Sequence, residues 1–456
     1  MSRKVMSKIA LLVIIAMLTA ILGACGGDTG GTTTTAAPGE TTTKAPDGSE
    51  TTDAGNGEKV TLSFWHIQTQ EKQAKLIQDS IDRFVADNPN YEVEVEPMQN
   101  DAFKTKLTVA LGSNTQPDIF PHWSGGPMIE YVESGKIADL TEYMNKDGYV
   151  DMFMPAGISQ ATYQDKIWAM PVENLAVAMF FYNKQVFADN GIEVPETLAD
   201  LEAAAEKLKA AGIAPFSLAN KTKWTGSMYY MYLVDRIGGA DVFANAATRQ
   251  NDGTFEAEAF TKAGEKIQEW VNKGYFNEGF NGLDEDSGQS RALLYSGQAA
   301  MTLMGSWIVS TITSENPDFL DNLGVFPFPA VEGGKGDPSG TVGTVGDNFY
   351  SISSECSDIE GAFTALTYLL DEQAIKDRVA DGKIPPINGV QLENPMMQTV
   401  LDLATKAKTN QLWYDQYLVP EMGDLHKDTS QELFGLTKTP EEVNAIMEAK
   451  AAELAG

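Results

Sequence analysis

Strand-length apolar runs alternate with helix-length amphipathic runs along this chain, and that alternation most constrains its fold. Val60-Thr61-Leu62-Ser63-Phe64-Trp65 reads as a strand. Glu71–Val85 follows with Ala74, Ile77, Ile81 and Phe84 on one helical face and stops at Asn88-Pro89. Tyr91–Val95 alternates with Tyr91, Val93 and Val95 to one side, Asp101–Leu111 is helical, and Pro117–Phe120 is a third strand. Strands interleaved with helices bury each other in a parallel or mixed sheet, so the expected class is α/β.

A second set of the same kind begins with a strand at Ala176–Tyr182. A helix at Leu198–Ala211 is opened by a Thr197/Asp200 capping box and closed by Gly212. The strand Ala214–Leu218 and helices at Gly226–Ile237 and Phe260–Asn272 come next, then the stretch Ala299–Ser310. In that stretch Ala300–Met304 is strand-like, Gly305 breaks it, Ser306 can cap a helix and Trp307 falls in its first turn. A strand end meeting a helix N-terminus is where α/β proteins hold ligands. Further strands are expected at Gly324–Phe328 and near Asn348–Ile352, with a loop at Glu332–Gly340 between them. Helices follow at Glu360–Leu370 and after the cap Thr439-Pro440-Glu441-Glu442. With 456 residues, roughly two or three domains of ~100–200 residues are expected.

The N-terminus reads as an export signal over residues 1–24. Arg3, Lys4 and Lys8 precede an apolar run from Ile9 to Leu22 that is short for a membrane span. Leu22-Gly23-Ala24-Cys25 resembles a bacterial lipobox, which would make Cys25 the acylated first residue; an ordinary signal cut near Ala24, or a plain anchor, is the alternative. Residues 25–58, rich in Thr, Gly, Pro and Asp and devoid of aromatics, read as a disordered tether.

The net charge is −31, and the signal carries +3 of the balance, so the remainder carries −34. Nucleic acid and anionic lipid surfaces are therefore excluded as partners, since both need clustered Lys and Arg. The second cysteine, Cys356, reads as a lone non-catalytic thiol. His66, His122 and His426 are too scattered for a metal site, and there is no H-E-x-x-H. Gly333-Gly334-Lys335 lacks the spacing of a phosphate loop, Gly340, Gly343 and Gly346 lack a helix behind them, and no G-x-S-x-G occurs. Among 64 acidic residues, any pair could be drawn as a glycosidase couple. No catalytic residue, cofactor or metal is expected.

The candidate site comes from where aromatics and amides fall. Trp65-His66, His122-Trp123 and Trp307 lie at predicted strand ends, Glu173-Asn174 and Asp347-Asn348 sit beside strands, and Trp224 and Trp413-Tyr414 sit in loops. Sugars stack apolar C–H faces on aromatic rings and pair their hydroxyls with carboxylates and amides, so such sets suit a carbohydrate cleft. For each tryptophan singly, core packing is an equal reading.

From about Val60 onward the chain resembles the extracellular solute-binding proteins of bacterial ABC importers, in the carbohydrate-binding, maltose/oligosaccharide-type group. The stretches that carry this are Leu62-Ser63-Phe64-Trp65, Pro117-Asp118-Ile119 with Gly125-Gly126, Trp168-Ala169-Met170-Pro171 and Phe181-Tyr182-Asn183-Lys184. Gly297-Gln298-Ala299-Ala300-Met301 through Gly305-Ser306-Trp307, Gly346-Asp347-Asn348-Phe349 and Thr439-Pro440-Glu441-Glu442 complete them. The resemblance implies the two-lobed periplasmic-binding-protein fold (type II) with hinge strands and a helical C-terminal segment. Residues 59–173 and 327–386 would form the first lobe, and 174–326 and 387–456 the second. Crossings would lie near Val172–Leu175, Phe326–Pro329 and Pro385–Asn388.

The candidate ligand-binding residues are Trp65, His66, His122, Trp123, Glu173, Asn174, Trp224, Trp307, Asp347, Asn348 and Trp413. Of these the resemblance itself implies a stacking role for Trp307 and a lining role for His122 and Trp123, and it likens Trp413-Tyr414 to the C-terminal aromatic pair of maltose binders. Implied partners are a sugar ligand and the transmembrane subunits of an ABC permease, with a monomeric receptor touching the membrane only through its lipid anchor, on the outer face of the cytoplasmic membrane in a Gram-positive-type envelope. A receptor for a non-sugar solute and a surface-anchored carbohydrate-active enzyme are the rival readings.

Overall fold

In a computed structural model, which describes residues 59–455, the strands fall into two mixed sheets and one small two-stranded sheet of an α/β fold. The expected signal, Cys25 and the tether lie outside the described residues. The first lobe opens with β1 (Val60–His66), α1 (Glu71–Asp87), β2 (Tyr91–Pro97), α2 (Asn100–Ser113), β3 (Ile119–His122) and α3 (Gly125–Glu133). β1 lies between β2 and β3, parallel to both, with Phe64 opposite Val95 and Ile119. Its alternation sends Leu62, Phe64 and His66 into the core. Ile77, Ile81 and Phe84 of α1 cover that face at helical spacing. The sheet ends at β2, whose Glu92, Glu94 and Glu96 stay exposed and guard the edge against pairing with other chains.

After β4 (Met170–Pro171) the chain leaves for the second lobe, built around β5 (Asn174–Asn183). Asn-Leu-Ala-Val-Ala-Met-Phe-Phe-Tyr-Asn is apolar on both sides because helices and neighbouring strands cover both faces. The elements that follow are α4 (Leu198–Ala210), β6 (Ala214–Phe216), α5 (Trp224–Gly238), α6 (Glu258–Asn272), β7 (Ala299–Gly305), α7 (Ile308–Glu315), β8 (Leu323–Phe326) and β9 (Thr341–Gly346). β7 and β9 flank β5 antiparallel, β8 pairs with its far end, and β6 runs parallel to β7. Phe180 and Phe216 of the sheet, with Tyr229 and Trp270 of the helices over it, centre the larger core. Burial of each such side chain contributes about 1.5–3 kcal/mol. The Thr197/Asp200 capping box opens α4, as its sequence predicts.

The chain then returns to the first lobe as β10 (Phe349–Ile352), antiparallel to both β3 and β4, and as α8 (Ile359–Thr367) and α9 (Glu372–Ala380). It finishes on the second lobe with α10 (Pro395–Lys406), the short strand β11 (Asn410–Gln411) beside β9, α11 (Pro420–Phe434) and α12 (Pro440–Ala455).

The second crossing is therefore at Asp347-Asn348 rather than at Phe326–Pro329. Residues 327–346 belong with the second lobe, because Phe328 and Val342 enter its core and β9 pairs along β5 from Gly346↔Asn174 to Gly343↔Val177. β9 has no counterpart in the sequence reading. Its glycines disguise it, yet a Cβ on Gly343 would sit 2.2 Å from the Ala176 carbonyl oxygen, so only glycine allows this pairing. Val172-Glu173 joins β4 of the first sheet to β5 of the second. Along the third, the Ile384 N–H reaches Asn174 while the Pro386 carbonyl accepts from Met154, so this segment touches both lobes.

Candidate functional site

Between the lobes, over the three crossings, lies a cavity of about 200 Å³. Trp123, Glu173, Asn174, Trp224, Trp307, Asp347, Asn348 and Trp413 all line it. The structure does not bring Trp65, His66 or His122 to its wall. Trp65 turns to the opposite side of β1, half-buried edge-on to Phe103, with the Lys106 ammonium over its ring. His122 is fully buried in the first sheet, within 2.8 Å of the Ser351 hydroxyl, and burial lowers its pKa to about 3. His66 is buried beneath the crossings, accepts from the Gln68 N–H, and is held at about 4, chiefly by burial. Both histidines sit at strand ends as expected, but alternation turns them inward.

The second lobe contributes a wall of three tryptophans. Trp307 stands edge-on to Trp224 at 6.0 Å between ring centroids and edge-on to Trp413 at 5.8 Å. Trp307 is the cap residue of α7, and its ring folds back over Gly305, where a Cβ would meet the indole at 2.0 Å. Glycine is needed there for space. Ser306 does not cap the helix; its hydroxyl donates to the Leu175 carbonyl and so ties the turn to β5. Trp224 is not a loop residue but opens α5, and Tyr414 opens the short helix Tyr414–Tyr417, while Trp413 lies in the loop before it as its N-cap. Facing them from the first lobe, Trp123 packs against Phe103 and carries the Lys104 ammonium 4.4 Å from its ring centroid. Burial in the cleft lowers the Lys104 pKa.

At the crossings the wall is polar. Glu173 is buried and accepts from Lys383 at 2.7 Å, with Arg378 at 3.4 Å. Burial alone would raise its carboxyl, but the two cations outweigh that and hold it at about 2. Asp347, in the left-handed region at φ 50°, is pushed up to about 7 by burial and then by the Glu173 charge. The side-chain nitrogens of Asn174 and Asn348 and the indole N–H of Trp224 are buried without a partner. Buried donors are normally paired, so these await a ligand or ordered water.

The lobes also touch along the cavity wall. The Gln73 amide on α1 donates to the Ser310 hydroxyl on α7 at 2.6 Å, and that hydroxyl donates to Asp381. Gln70 reaches Glu315 at 3.3 Å. On the other side, α3 abuts the segment before α11 so closely that a Cβ on Gly125 or Gly126 would strike the carbonyl oxygens of Gln416 or Leu418. The arrangement is closed.

Residues missing from the sequence reading include Gln68, Lys104, Lys383 and Asp415, all on the cavity wall. Gln68 stands just past the end of β1, Lys383 just before an expected crossing, and Asp415 beside Trp413-Tyr414, so proximity to those landmarks was the available signal. Nothing in the spacing of Lys104 points to the cleft. Among the described residues, no group of His, Cys, Asp and Glu could hold a metal, and no helix is long and apolar enough to cross a membrane.

Three comparisons with known proteins agree with this geometry. The model of the bacterial extracellular solute-binding protein family matches residues 68–376. An uncharacterised ABC transporter extracellular-binding protein of Pyrococcus horikoshii is 26% identical over 59% of this chain, and the match spans only 60% of its own length. The multiple sugar-binding protein of Streptococcus mutans is 26% identical over 79% of this chain and 83% of its own. A structure solved in a study of xylan utilization by the thermophilic bacterium Caldanaerobius polysaccharolyticus is 30% identical, with a TM-score of 0.80 over 86% of this chain and 100% of that one. A chitin oligosaccharide binding protein is 25% identical, with a TM-score of 0.80 over 87% of this chain and 99% of that one.

Proposed function

The chain belongs to the bacterial extracellular solute-binding proteins, and from that premise we propose that it captures a mono- or oligosaccharide between its lobes and hands it to the permease of an ABC importer. The observation that carries this reading is the pairing of a three-tryptophan wall with unpartnered N–H donors at the crossings. Apolar ring faces and orphan donors in one cavity match the two faces of a sugar. The relatives that bind sugars and chitin oligosaccharides by name support the same class.

The ligand touches both lobes only when they are closed, so it shifts the open–closed equilibrium by its differential affinity. Micromolar binding corresponds to about 8 kcal/mol, within reach of several stacked rings and hydrogen bonds. The protein returns its ligand unchanged, works as a monomer, and is held at the outer membrane face by acylation of Cys25.

Native mass spectrometry of protein purified from its own host would reveal a co-purified ligand, and calorimetry against a broad sugar panel would rank ligands. A co-purified or tightly bound solute of another class would overturn the sugar assignment. Shortened products after incubation with oligosaccharides would turn the reading to an enzyme.

A further inference from the structure

We infer that Gln68 and Lys383 are positioning residues that set the Asn348 amide to donate toward the bound solute; this rests on the sugar-receptor reading above. The chain of reasoning begins at the buried Glu173 carboxylate. It fixes the Lys383 ammonium at 2.7 Å, and an ammonium can only donate. Lys383 also lies 3.4 Å from Gln68 and therefore takes its Oε1. With that end of the amide committed, Gln68 Nε2 faces Asn348 and donates to its Oδ1 at 3.4 Å. Asn348 is fully buried at the edge of the cavity, and its Nδ2 has no hydrogen-bond partner.

The reversed amides would set a Gln68 N–H against the ammonium, donor against donor. Asn174, on the neighbouring crossing, is fixed independently. Its Oδ1 accepts from the Ile384 N–H at 2.7 Å, which again leaves Nδ2 without a partner. Both crossing strands thus present donors, while the Asp347 carboxyl between Gly346 and Asn348 has no hydrogen-bond donor of its own among the described residues. The seam end of the cavity is matched to a sugar hydroxyl whose oxygen accepts from an amide and whose proton goes to Asp347.

The test is a double-mutant cycle read by calorimetry, with xylotetraose, N,N′-diacetylchitobiose and raffinose as probes. In Gln68→Glu both side-chain oxygens accept, so Asn348 turns to donate to position 68 and shows the ligand its Oδ1. The expected result is a loss of about 10-fold in affinity for the best-bound probe in the wild-type background, and less than about 2-fold in an Asn348→Ala background. Gln68→Met, which cannot accept or donate there, replaces Gln68→Glu if the latter does not fold, and Asn348→Ser replaces the alanine background on the same condition. Equal losses in both backgrounds would make Gln68 a direct contact and overturn the relay, as would no loss in either. A wild-type protein that binds none of the probes while binding another solute class removes the sugar reading and the relay with it; additive losses in a sugar-binding protein remove the relay alone.

Discussion

The indoles of Trp307 and Trp413, from segments more than a hundred residues apart in sequence, meet edge to face with 5.8 Å between centroids and 62° between planes. Packed against each other, the two rings support the wall they form. Preorganised stacking surfaces spare a ligand the cost of ordering them. Trp307 is half-buried and adds less to the apo core than a fully enclosed ring such as Trp270. Trp307→Ala is therefore expected to weaken sugar binding by about 10- to 100-fold while lowering apo stability by about 1 kcal/mol. Calorimetry and apo thermal melting check both halves. A large drop in apo melting with unaltered affinity would return Trp307 to the core.

Gly305→Ala should reproduce much of the same binding defect without touching a cavity-lining residue. The added methyl would lie 2.0 Å from the far edge of the Trp307 indole, which is the part of that side chain best able to swing away. Folding is expected to survive with a cost of about 1 kcal/mol, and the displaced ring to reduce sugar affinity by several-fold. Tryptophan fluorescence of the apo protein, compared with wild type, reads the displacement directly. Unchanged emission together with unchanged affinity would mean the ring does not depend on the glycine.

How much of this was legible in the sequence follows from what each residue does physically. Helix faces and caps are local, so α1, the Thr197/Asp200 box and the Thr439/Glu442 box at the last helix all stand in the sequence as they stand in the structure. Strand ends were legible too, but the side to which a terminal residue points was not. His66 and His122 occupy cleft-side strand ends and still face the core, whereas Trp123, one residue on, faces the cavity. The glycine-rich β9 was invisible because its reason for glycine is the backbone of β5, far away in sequence. Lys104 and Lys383 escaped for the same reason: their roles come from what the fold sets opposite them.

Glu173→Gln is expected to be among the most damaging single changes in the molecule. Arg378 is fully buried, with two of its guanidinium nitrogens already lacking partners, and Lys383 is buried as well. Removing the carboxylate leaves two buried cations without a counter-charge, a change that costs about 3–5 kcal/mol. Guanidinium denaturation of the apo protein measures this. A loss below about 1 kcal/mol would show that water enters the seam and screens the cations.

Asp347 makes apo stability fall as the pH rises toward neutrality. Its carboxyl faces Glu173, Lys383 and Lys104, and burial raises its pKa to about 7 in the folded protein, above the ordinary carboxylate range it has when unfolded. The folded state therefore holds a proton that the unfolded state has lost. Its stabilising contribution is complete below about pH 4 and disappears as the pH rises through 7. Asp347→Asn should remove that slope and raise apo stability at pH 8 by about 1–2 kcal/mol, after allowance for water in the cavity. Chemical denaturation at intervals from pH 5 to 8 would detect it. Parallel curves for variant and wild type would place the Asp347 titration outside this window.

The Ser310 hydroxyl links the lobes at the cavity wall, taking the Gln73 amide from one side and donating to the buried Asp381 on the other. Lys72 also reaches Asp381, at 3.1 Å, so the carboxylate keeps a counter-charge when the hydroxyl is lost. Ser310→Ala thus cuts a contact that exists only with the lobes together and leaves each lobe otherwise intact. A hydrogen bond to a charged group is worth about 1.5–3 kcal/mol, and all of that difference falls on the closed state. The expected outcome is a larger radius of gyration for the apo variant in solution scattering, and a loss of sugar affinity of about 10-fold. Saturating sugar should restore the compact form, because ligand contacts then supply the missing bias. Identical scattering and affinity in variant and wild type would mean that the Ser310 contact does not set the balance between open and closed lobes.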